Sequence, residues 1–103
     1  MSQEKKILKK EYGEFYSTVE EILFRHDPIG INFDYNTDEY SPEVGTIIPR
    51  LKNAQSESDV LEIVIEEFKK WFGYGEIIKK QDPVYQIISK EIWNAWTKFK
   101  KLT

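Results

Sequence analysis

Apolar positions along the chain repeat at helical spacing in four stretches. In the first, Leu8, Tyr12, Phe15, Val19 and Ile22 follow one another at intervals of four and three, and Tyr16 and Leu23 widen the stripe. That is the signature of an amphipathic helix and predicts one over residues 4–25. His26-Asp27-Pro28 stops it, because a proline disfavours helical geometry in the residue before it. Residues 26–40 mix apolar anchors (Ile29, Ile31, Phe33, Tyr35, Tyr40) with the turn formers Asn32, Asp34, Asn36 and Asp38. This reads as a structured loop packed on the core rather than a tether.

Ser41-Pro42-Glu43 is a helix start, with a capping hydroxyl, proline in the first turn and an acid near the positive end of the dipole. The second helix uses Val44, Ile47, Ile48 and Leu51, and Pro49 inside it predicts a kink or a division into two short pieces. Ser56 with Asp59 forms a capping box with the shorter acid. The third helix then runs through Leu61, Val64, Ile65, Phe68, Trp71 and Phe72 to Gly73, a residue suited to a left-handed cap. Asp82-Pro83 opens the fourth, striped by Tyr85, Ile88, Ile92, Trp96 and Phe99 with Ile87 and Trp93 beside them. The three tryptophans read as core or rim packing. The expected fold is all-α, an irregular four-helix bundle with a structured loop between its first two helices, in one domain over residues 1–103.

Composition narrows the chemistry. A chain of 103 residues is long enough for one continuous core. It has no cysteine, which removes disulfides, thiolate metal sites and cysteine nucleophiles. No apolar stretch reaches the length of a signal peptide or membrane span, so a cytoplasmic location is expected, with no membrane partner. The net charge of −3 conceals a strong asymmetry. Residues 11–67 hold fourteen Asp or Glu against Arg25, Arg50 and Lys52, a balance of −11, whereas the two flanks together carry +8. Such a single-sign stretch attracts basic partners and repels nucleic acid.

The loop brings a resemblance. His26-Asp27-Pro28-Ile29-Gly30-Ile31, then Asp38-Glu39-Tyr40, the start at Ser56 and the closing Trp71-Phe72-Gly73 resemble a family of short, functionally uncharacterised bacterial proteins. Their shared pattern is an aromatic residue followed by Asp-Pro-Ile-Gly, then Asp-Glu-Tyr; the likeness covers about residues 15–73, and His26 stands where the family usually has tryptophan. Members tend to be encoded near secreted toxins, so the resemblance implies an immunity-like binder.

From the residues themselves, Asp27, Asp34, Asp38, Glu39 and Tyr40 either close the turn or face a basic partner, with tyrosine as anchor and the acids setting complementarity. Asp59, Glu62 and Glu66 recur at three and four residues and share one helix face, either a plain solvated face or a continuation of that acidic surface. Asp34-Tyr35-Asn36-Thr37-Asp38 also matches the opening of a calcium loop, but Glu39 replaces its turn glycine and Gly45 its bidentate glutamate. Catalysis has little to stand on: His26 is the sole histidine, no phosphate loop is present, and no spacing singles out an acid and base pair. The chain is therefore expected to be a non-enzymatic protein-binding module without metal or cofactor, most specifically a bacterial toxin-immunity protein. A small calcium-responsive module and a structural subunit of an assembly are the alternatives.

Overall fold

A computed structural model describes residues 3–29, 40–73 and 78–102. Among them the chain is all-helical: α1 (Gln3–Tyr12), α2 (Glu14–His26), α3 (Ser41–Ile47), a 3-10 helix (Ile48–Asn53), α4 (Glu57–Phe72) and α5 (Pro83–Leu102). No helix in the described residues is long and apolar enough to cross a membrane.

The predicted first helix is two helices. Gly13 breaks it at φ 58° and ψ −131°, a backbone conformation open to glycine and strained for any other residue. The break lets α1 fold back, which brings Lys5 Nζ within 3.4 Å of Glu20 Oε2 and places Lys9 over the Tyr16 ring. The Lys5–Glu20 contact is an ion pair lacking hydrogen-bond alignment, since Glu20 Oε2 accepts no hydrogen bond. Leu8 then reaches α3, close to Gly45.

Local signals set the remaining boundaries. Asp27 ends α2 in the left-handed conformation (φ 45°), its N–H donating to the Leu23 carbonyl. Ser41 does not cap α3. Tyr40 takes that position, and the Ser41 hydroxyl instead lies 3.2 Å from the Tyr16 hydroxyl, linking α3 to α2. Pro49 divides the next segment as its sequence requires, α3 tightening into the 3-10 helix at Ile48. Ser56 accepts from the Asp59 N–H, and the Asp59 carboxylate accepts from the N–H of Gln55, one residue before the cap. Gly73 ends α4 at φ 93° but with an extended ψ of 169°, outside the left-handed helical region. Asp82 starts α5 by accepting from the Val84 N–H.

The core forms where the apolar stripes meet. Val19 and Leu23 of α2, Val44 and Ile47 of α3, Ile48 and Leu51 of the 3-10 helix, Val64 and Phe68 of α4, and Ile88 and Ile92 of α5 are all fully buried. Helix α5 lies between α2 and α4 and runs antiparallel to both: Phe15 stacks on Phe99 at one end of α2, Arg25 pairs with Glu91 at the other, and Phe68 meets the edge of Tyr85. Tyr12, Phe15, Trp96 and Phe99 form an aromatic cluster with centroids 5.3–6.3 Å apart. Of the tryptophans, Trp96 is in the core, Trp93 is half-buried and Trp71 is 47% exposed, its indole N–H donating to the Thr46 hydroxyl.

Candidate functional site

Tyr40 was expected as a surface anchor, but its ring is fully buried and stacks on Phe68 of α4 at 6.1 Å. Helix α3 presents Tyr40, Val44 and Ile47 inward together, and the apolar contact with α4 outweighs any gain from exposing the ring. The hydroxyl then acts as a clamp. It donates to Asp27 Oδ1 at 2.6 Å and accepts from the Ile29 N–H at 3.1 Å. Asp27 thus has a structural partner within the chain. Asp27 and Ile29 precede residues 30–39 and Tyr40 follows them, so one phenol links the residues on either side of that segment while its ring stacks on α4. Asp34, Asp38 and Glu39, and with them the calcium-like stretch Asp34–Asp38, lie outside the described residues. Among the described residues, no three His, Cys, Asp or Glu side chains come together as a metal site.

On α4 the predicted acidic stripe exists, and the tertiary structure partly neutralises it. Asp59, Glu62 and Glu66 are all exposed. Glu62 pairs with Lys80, and Glu66 accepts from Arg50 Nη2 at 2.7 Å. Arg50 also reaches Glu67 Oε2 at 2.8 Å with its other nitrogen, joining an exposed to a buried carboxylate. Burial works to raise the Glu67 pKa, but hydrogen bonds from Arg50, Lys70 and Thr46 outweigh it and hold the carboxyl below its ordinary value. Glu57 and Asp59 are exposed and have no cationic partner among the described residues. The acidic face is therefore narrower than the sequence sum suggests, and it is concentrated in the first turns of α4.

Two features lay beyond the sequence reading. The first is a charge cluster joining α2 to α5. Arg25 Nη2 donates to Glu91 Oε1 at 2.7 Å, Arg25 Nε donates to Glu21 Oε2 at 2.7 Å, and His26 Nε2 lies 2.5 Å from Glu91 Oε2. A contact that short to a carboxylate oxygen requires a proton between the atoms, which makes His26 Nε2 the donor and leaves its 3.2 Å approach to Arg25 Nη1 a proximity without a hydrogen bond. Bonds from Arg25 and then His26 hold the Glu91 carboxyl below its ordinary value against the opposing effect of burial. The guanidinium, bonded to two carboxylates, is pushed up in turn.

The second is an open groove of about 730 Å³ between α2 and α5. Phe15, Ile22, Ala95 and Phe99 supply its apolar lining, Arg25 and Glu91 stand at one end, and Lys10 and Lys98 line it as well. Periodicity could not disclose it, because a groove is a gap between two helices and each contributes only residues that look like the edge of its own stripe. Neither a family model, nor a curated protein, nor a solved structure matches the chain.

Proposed function

We propose that this chain is a non-enzymatic protein-binding module that engages a basic protein partner, and most specifically a bacterial toxin-immunity protein acting in the cytoplasm. The observation that carries the reading is the Tyr40 clamp. It joins Asp27 and Ile29 to Tyr40, whose ring stacks on α4, across a segment whose sequence holds Asp34, Asp38 and Glu39 and no lysine or arginine. The exposed acids of α4, Asp59, Glu62 and Glu66, stand on that same helix. Their partners do not remove them from use, since pairs as exposed as Glu62–Lys80 contribute little and exchange readily for a stronger cation on a partner. In this reading Asp27 and Tyr40 position the surface and the remaining acids meet the partner. A positive nuclease cleft is the kind of surface that such a face complements, the carboxylates standing where phosphates would.

The test is binding to the domain encoded beside this chain, measured by surface plasmon resonance at rising salt. Between ~0.1 M and ~1 M salt the screening length falls from about 10 to about 3 Å, and the association rate should fall steeply with it. Replacing Glu62 by lysine, which breaks only its exposed pair with Lys80, should slow association several-fold while leaving the thermal transition nearly in place. An association rate indifferent to both salt and charge reversal sinks the proposal.

A further inference from the structure

We infer that the outward face of α5 is a self-recognition surface on which a second copy of this chain lies antiparallel about a twofold axis. Ile87, Glu91, Asn94, Ala95, Lys98 and Leu102 fall within one arc of about 100° at the helical repeat, and all six are exposed or half-buried. The inward face of the same helix is already satisfied by Tyr85, Ile88, Ile92 and Trp96 in the core. Yet the outward face carries Ile87 and Leu102, 48% and 86% exposed, two of the four large apolar side chains left open among the described residues.

The order of residues on this face indicates what covers it. Reversed about the midpoint between Asn94 and Ala95, the stripe exchanges Ile87 with Leu102 and Glu91 with Lys98, so it is complementary to its own inverse. Two antiparallel α5 helices crossing there put Leu102 of the second copy against Ile87 and Lys98 of the second copy against Glu91, each contact occurring twice by symmetry. The charges match as well. Glu91 is bonded by Arg25 and His26 from the α2 side, and Arg25 is shared with Glu21, while Lys98 is exposed and has no acidic partner among the described residues. At the crossing stand the small Ala95 and the polar Asn94, which permit close approach. Five of the six residues also line the groove beside α2, so the second helix lies along an existing trough. A foreign helix needs no such inverse symmetry, and therefore a second copy is the occupant the pattern favours.

Self-association requires no foreign chain, so its outcome is separable from the basic-partner reading. Sedimentation equilibrium from micromolar to millimolar protein should show the mass rising from the monomer's 12.3 kDa towards twice that value. Leu102→Glu and Ile87→Glu should each weaken association by about tenfold or more, with the far-ultraviolet spectrum and melting curve retained because both side chains are outside the core. The chain has no cysteine, so Asn94→Cys adds a single thiol beside the axis. Helix axes about 8–10 Å apart bring facing Cα atoms within disulfide reach, and mild oxidation should trap a covalent dimer, whereas Lys52→Cys on the exposed 3-10 helix should not. A monomer at millimolar concentration, a dimer insensitive to both glutamate substitutions, or no trapping through Asn94→Cys would overturn the inference.

Discussion

Removing one oxygen atom, in Tyr40→Phe, tests the clamp that ties residues 27–29 to α3 and α4. The phenylalanine ring keeps the stacking on Phe68, so the transfer of the ring into the core is unchanged. What is lost is the 2.6 Å bond to the Asp27 carboxylate and the 3.1 Å bond from the Ile29 N–H. A hydrogen bond to a charged group contributes about 1.5–3 kcal/mol. Asp27 and Ile29 are only half-buried, so water replaces part of what is lost, and the expected cost is about 2 kcal/mol. For a domain of this size that lowers the melting temperature by roughly 8–16 °C. The assay is urea unfolding followed by tryptophan fluorescence, run as a double-mutant cycle with Asp27→Gly. Glycine suits the cycle because it tolerates the left-handed backbone of position 27 and removes the acceptor that the hydroxyl bonds. A coupling of about 1 kcal/mol or more is expected between two groups in direct contact. If Tyr40→Phe unfolds within ~0.5 kcal/mol of the parent, or the two substitutions simply add, the hydroxyl is not a clamp.

Three further predictions follow from backbone strain, ion pairing and burial. Gly13→Ala meets no atom within 4 Å of the added carbon, so any loss of about 1–3 kcal/mol comes from backbone strain alone; unchanged stability in chemical denaturation would show that the break between α1 and α2 does not need glycine. Arg50→Ala strips the 3%-exposed Glu67 of its main partner and should cost about 3 kcal/mol, whereas Lys80→Ala, which breaks an exposed pair, should cost under ~0.5 kcal/mol. Equal effects in calorimetry would refute the distinction. Burial pushes the Glu43 carboxyl above its ordinary value, with its own backbone N–H opposing. The native state thus holds a proton that the unfolded chain has released, and stability from this group is lost as pH rises from the ordinary carboxylate range through the raised value. Glu43→Gln should flatten that part of the stability profile and be more stable than the parent at neutral pH, and a profile unchanged by the substitution would contradict the assignment. Glu67 and Glu91 act in the opposite sense, their contributions being lost as pH falls through their lowered values.

The two surfaces make different demands on the chain. The acid-bearing half of α4 faces away from the interior and its pairs are exposed, so it can exchange partners at little cost. The α2–α5 side is braced by Arg25, His26 and Glu91, which fixes the spacing of the two groove walls.

Most of the helical architecture is determined by the sequence itself, because local physics decides it. The stripes of α2 to α5 bury most of the residues their periodicity selects, Trp71 and Ile87 being left exposed, Ser56 and Asp82 cap where their side chains reach the first N–H groups, and Pro49 ends an α-helix because it has no N–H to give. The break at Gly13 is hidden because Leu8, Tyr12 and Phe15 keep helical spacing straight across it; only the packing of α1 back onto α2 and α3 makes a turn there more favourable than a continuous helix. The aromatic at position 40 is equally visible as an anchor, but whether it faces solvent or Phe68 depends on where α4 lies. The sum of charges over residues 11–67 is a property of the sequence, whereas the charge left on α4 is set by Arg50 and Lys80, sixteen and eighteen positions from their partners Glu66 and Glu62. Periodicity and capping act over one or two turns of chain, while ion pairs, the clamp and the groove depend on distances between helices that only the folded chain fixes.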